Sequence, residues 1–178
     1  MSSEQEEEAM YVDMLAMKLV RTYGAEVLDS PEFVKAKEQK HHHVTTVGDH
    51  SLGVAYVSVK ICRFLNAMHI KTDTESVVRG ALCHDLGIVG RYEKFSNNLA
   101  CWQKHPKESA RVAGELLGDL NKREKDIIRH HMWPTTPVPP HCREGYVILI
   151  ADKYCAVSEV TAGMKEKYRK KKESDRVS

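Results

Sequence analysis

Residues 49–68 place the tightest limit on the fold, because they are apolar on nearly every side of a helix. Leu52, Ala55, Tyr56, Val59, Ile61, Phe64 and Leu65 recur at three- and four-residue spacing and spread well beyond one stripe. So broad an apolar surface marks a central helix that other elements must surround. Asp49 is a suitable cap for it, with His50 in its first turn.

The flanking segments supply those elements. Residues 9–23 carry Tyr11, Met14, Leu15 and Leu19 on one face, with Gly24 as the expected stop. Ser30-Pro31 is an N-cap and first-turn pair for a short helix through Phe33 and Val34. His41-His42-His43 and the residues up to Gly48 read as a loop. Thr72 and Glu75 have capping-box spacing and open a helix with Val77, Val78, Ala81 and Leu82 on its inward stripe. Gly87 and Gly90 release a loop that runs to Lys104, and His105-Pro106 restarts a helix that Gly118 closes. Asn121 with Glu124 caps the stretch Ile127 to Met132. Pro134, Pro137, Pro139 and Pro140 forbid helix, and a last long helix begins near Arg143. No alternating run with hairpin turns and no internal repeat is present. The pattern predicts an all-α fold, a single-domain helical bundle over 9–164, between an acidic segment at 1–8 and a basic tail at 165–178.

The chain of 178 residues is long enough to bury a proper core. A formal net charge of +2 implies no strong nucleic-acid partner, and the charged runs at both ends read as solvated, fraying or disordered termini. Five scattered cysteines without a Cys-x-x-Cys pair suggest reduced thiols. With no basic-then-apolar leader and no long uncharged stretch, no membrane partner is expected and the expected location is cytoplasmic. Oligomeric state is left open.

Histidine carries the functional signal. All ten lie between 41 and 141. His84 and Asp85 fall at the end of the Val77–Leu82 stripe, directed at a core where an unpaired carboxylate is costly. Alone, that dipeptide reads as a salt-bridged pair near a helix end. His50, His105, His130, His131 and Asp152 change the balance. Asp152 stands among Ile148, Ala151, Cys155 and Ala156, and needs a cation or several donors there to remain ionised. Inward donors on separate helices are how bundle cores build metal sites. Cys83 beside His84 is a poor nucleophile–base pair, since adjacent helical residues point about 100° apart.

The order His50, His84-Asp85, Asp152 resembles the HD-domain superfamily of metal-dependent phosphohydrolases over about residues 41–160. The additional His105 and His130 are similar to the two-metal members. The resemblance implies an HD-type helical fold with His50, His84, Asp85 and Asp152 on one metal. Asp85 would bridge to a second metal completed by His105 and His130. It also implies that His131 touches substrate phosphate and that a metal-bridging hydroxide attacks a phosphate ester, with a nucleotide as the expected substrate class. Arg91, Lys94, Lys104, Lys153 and His42 are candidate phosphate contacts, and Glu93 is a candidate proton shuttle to the leaving group. A histidine-rich site favours Mn, Fe, Co, Ni or Zn, one or two per chain. The glycine-tyrosine-proline signature of the branch that cleaves cyclic dinucleotides is absent. The same ligand order also resembles HD-fold di-iron oxygenases, and a non-catalytic nucleotide-binding module remains a third reading.

Overall fold

The structure, a computed structural model, describes residues 3–41 and 45–174. Eight α-helices make up nearly all of it: α1 (Ser3–Leu28), α2 (Pro31–Glu38), α3 (Val47–Ala67), α4 (Thr74–Cys83), α5 (Arg91–Lys94), α6 (Asn98–Leu117), α7 (Lys122–His130) and α8 (Arg143–Ser174). The fold is all-α, as the periodicity predicts. Helix α3 packs against α1, α2, α4 and α8, while α4 also contacts α1 and α7. Val54, Ala55, Val59, Val77, Val78, Ala81, Leu82, Ile127 and Ile148 are buried at this junction. The burial of α3 is less complete than its composition suggests, since Phe64 in its last turn is 65% exposed.

Two caps follow the sequence pattern. Ser30 Oγ accepts from Phe33 N–H. Asn121 and Glu124 form a reciprocal capping box at α7. Other boundaries differ from expectation, each for a visible reason. Gly24 does not stop α1. A Cβ there would lie 2.3 Å from Leu82 Cδ1, so the glycine serves close approach to α4 rather than termination. Thr46 caps α3, accepting from Asp49 N–H, while the Thr46 hydroxyl donates to the Asp49 carboxylate. Asp73, not Thr72, caps α4, because Thr72 is bound to Asn66 across the preceding turn.

The segment read as a plain loop before α3 contains a two-residue antiparallel pair, β1 (Lys40–His41) with β2 (Thr45–Thr46). Val47 N–H extends it by donating to Gln39 O. His42 lies outside the described residues. Nor does α6 start at His105-Pro106. Asn97 caps it by accepting from Ala100 N–H, and Pro106 sits inside. One missing N–H is tolerated because Cys101, His105 and Ser109, spaced by four, share a buried face. Helix also reaches into both charged end segments, beginning at Ser3 and ending at Ser174. Among the described residues no helix is long and apolar enough to cross a membrane.

Between α4 and α5 a single 3-10 turn, Leu86–Ile88, lies directly on α6. A Cβ on Gly87 would come 2.5 Å from Ser109 N and 2.6 Å from His105 O, so only glycine fits. Gly87 N–H donates to Ser109 Oγ at 2.9 Å. This contact sets Asp85 beside His105.

Candidate metal centre

Five helices converge on one buried point. α3 contributes His50, the end of α4 contributes His84 and Asp85, α6 contributes His105, the residue after α7 is His131, and α8 contributes Asp152. None of the six is more than 7% exposed. His50 Nε2 lies 3.0 Å from Asp152 Oδ1. His84 Nε2 lies 3.5 Å from Asp85 Oδ2 and 3.8 Å from Asp152 Oδ1. On the other side, Asp85 Oδ1 is 3.2 Å from His105 Nε2 and 3.5 Å from His131 Nε2. Two sets of three, His50–His84–Asp85 and Asp85–His105–His131, each hold their donor atoms within 4.8 Å, and Asp85 belongs to both.

Hydrogen bonds on the far sides of the rings decide what these atoms can do. His84 Nδ1 donates to Ala81 O, His105 Nδ1 to Cys101 O and His131 Nδ1 to Ile128 O, at 2.7 to 2.9 Å. Each neutral ring therefore turns a bare lone pair inward at Nε2. His105 and His131 point those atoms at each other across 3.0 Å. His84 Nε2 is buried without a hydrogen-bond partner. Lone pairs converging in a dry interior repel unless a cation sits among them, so this donor set fits a metal ion.

The HD domain family model matches residues 47–157. The chain is a member of the HD domain family. No curated protein and no solved structure matches it. The matched span runs from the first residue of α3 into α8 and takes in all six converging side chains of this HD domain.

Charges follow from the geometry. Burial lowers the pKa of His84 to about 4. Burial also opposes charge on His50, yet its hydrogen bonds to Asp152 and Glu159 prevail and raise it to about 10. Burial acts to raise Asp85, but without a cation any proton taken up at Nε2 of His84, His105 or His131 faces this carboxylate, and that holds it well below the ordinary carboxylate range. Asp152 is likewise lowered, burial being outweighed mainly by the His50 hydrogen bond. Burial pushes the Cys83 thiol up to about 12, which leaves no thiolate for nucleophilic chemistry.

Not every residue expected at the site is brought to it. His130 turns away, its Nδ1 donating to Asp126 Oδ1 at 2.8 Å, and His131 takes the inward place. One helical step separates their directions by about 100°, so both cannot enter. Lys153 is at the edge, with Nζ 2.7 Å from Asp152 Oδ2 and 3.5 Å from His131 O. Arg91 is bound to Asn98 and stacked on Tyr92, and Lys94 pairs with Glu108 at 3.5 Å. Lys104 and Glu93 are exposed. No hydrogen bond or ion pair links these four to the cluster among the described residues.

Glu159 is the residue that sequence reasoning missed. Its Oε1 accepts from His50 Nδ1 at 2.9 Å, fixing the ring from behind. The available signal was spacing, since it follows Asp152 by seven residues, two helical turns along the same face of α8.

Proposed function

We propose that this HD domain is a metal-dependent phosphohydrolase acting on a small phosphate ester, with a nucleotide as the favoured substrate class. The observation that carries the reading is the inward convergence of imidazole lone pairs on Asp85, supported by membership of a family rich in such enzymes. His50, His84, Asp85 and Asp152 would hold one divalent cation, and Asp85, His105 and His131 a second. Cations held there would supply Lewis acidity towards phosphate oxygens and lower the pKa of a water to about 7.

The protein's own groups complete the arrangement. Carbonyls of Ala81, Cys101 and Ile128 fix the ring orientation of His84, His105 and His131. Glu159 does the same for His50. Lys153 is the cation at the rim, 48% exposed at its side chain, where a substrate phosphate oxygen can replace the Asp152 contact. The buried walls exclude bulk water and strengthen each of these interactions.

The test is metal analysis of the purified chain, then a screen of nucleotides and simple phosphate esters with Mn, Fe, Co, Ni or Zn restored. Phosphate release that depends on added metal is expected. Oxygen uptake with reduced iron, in place of phosphate release, would move the assignment to the di-iron oxygenase reading, which four imidazoles and two carboxylates also suit.

A further inference from the structure

A second concave surface plays no part in the metal centre. Between α6 and α7 lies a cavity of about 1300 Å³. Lys104, Lys107 and Arg111 follow one another along α6 at spacings of three and four, and Lys125 and Arg129 do so along α7. Such spacing puts each set on one helix face, so two cationic rows line the same groove. Arg111 is neutralised by Glu108 and Glu115. Among the described residues, Lys104, Lys107, Lys125 and Arg129 have no carboxylate within ion-pair distance, and Asp119 is the one remaining acid in the lining.

Like charges gathered along one cleft repel each other and concentrate a positive field in it. An anion in the groove relieves that repulsion. The floor is different in character, formed by Phe95, Ala110 and Leu120, of which Leu120 is 5% exposed. A bare inorganic ion would leave that apolar floor wet, whereas an organic phosphate would cover it. The volume is ample for a ligand of nucleotide size.

We infer that the α6–α7 groove is a binding site, separate from the metal centre, for a multiply charged phosphate ester of the nucleotide type. Its phosphates lie between the rows set by Lys104 and Lys107 on one side and Lys125 and Arg129 on the other, and its ring covers the apolar floor. Lys104 precedes His105, and Arg129 stands two residues before His131. A ligand spanning the groove therefore ties together the two helices that present those imidazoles.

The experiment is calorimetric titration of the whole chelator-treated chain with ATP and, separately, with tripolyphosphate, at about 0.15 M salt where surface attraction is already screened. Metal removal takes the catalytic reading out of the measurement, so failure here leaves that reading intact. Saturable binding of one ATP per chain is expected, stronger at lower salt. Substituting K107E/K125E should weaken it by about tenfold or more, from the charge reversal of two contacts. The neutral pair K107Q/K125Q should weaken it less, and both variants should keep the parent's circular dichroism. Absence of saturable ATP binding, or equal affinity in K107E/K125E, overturns the proposal. Tripolyphosphate binding as tight as ATP overturns it as well, because the floor would then contribute nothing.

Discussion

Two clusters of histidine and aspartate meet at the end of α7, one inward through His131 and one outward through His130. By donor proximity alone they look alike, since Asp126, His130 and His141 also bring their atoms within 4.8 Å. Their protons separate them. In the inner cluster His84, His105 and His131 each commit Nδ1–H to a backbone carbonyl, and their Nε2 atoms converge with no proton to share. In the outer one the Asp126 carboxylate is already served by donors: His130 Nδ1, His141 Nδ1 and the backbone N–H groups of His141 and Cys142. The outer cluster is thus an anchor that ties the proline-rich loop to α7. The lesson is that ligand type and distance do not define a metal site; the direction in which the lone pairs are left over does.

The comparison can be tested hardest at Asp85. Asp85→Ala should empty both halves of the inner cluster and lower turnover by roughly a thousandfold or more, since metal assistance is worth several kcal/mol in the transition state. Metal analysis and phosphate release read both effects, and wild-type metal content in this variant would break the assignment. A sharper contrast comes from neighbours. His131→Ala should lose metal affinity while His130→Ala keeps it within about twofold of the parent, because the His130 ring is turned to Asp126 and away from the inner cluster. Equal losses in the two would erase the distinction between the clusters.

Glu159→Ala should reduce metal affinity or activity by about 10- to 100-fold, the usual range for a partner that orients a ligating histidine. Glu159→Gln keeps an acceptor oxygen and should recover part of it, measured as metal dissociation constants.

The smallest expected effect concerns stability. Burial would raise Asp126, but hydrogen bonds from His141, Cys142 and His130 outweigh it and lower its pKa to about 2. A carboxylate depressed in the folded state stabilises the protein above its unfolded pKa and loses that contribution as pH falls towards the folded value. Asp126→Asn should therefore lower stability at neutral pH by about 1 kcal/mol, after allowance for solvent screening, and flatten the stability profile between pH 4 and pH 2. Urea melts across that range measure it. Metal content should be unchanged; loss of one equivalent would show that the outer cluster binds a cation after all.

Much of this architecture was legible in the sequence because burial imposes period. The stripes through Val77, Val78, Ala81 and Leu82 and the caps at Ser30 and Asn121 needed no tertiary information. What escaped depended on neighbours distant in the chain. Gly24 resembles a helix stop, and only the approach of Leu82 reveals its role. Pro106 resembles a helix start, and only the buried face of α6 shows that the helix continues through it. The choice between His130 and His131 was present as phase. Glu124, Ile127 and Ile128 are buried, and the next position on that face is 131. Glu159 escaped because its seven-residue spacing from Asp152 on a charged helix gains meaning only once its partner His50 is seen.

That partnership has a mechanical side. Asp152 and Glu159 are about 10 Å apart along the axis of α8, and both hold the same imidazole, one at each nitrogen. Sliding α8 lengthwise would stretch one bond while crowding the other, and rolling it would release both. A single ring of α3 thereby works as a register pin, and any change in how these two helices lie together would be felt first at the centre they share.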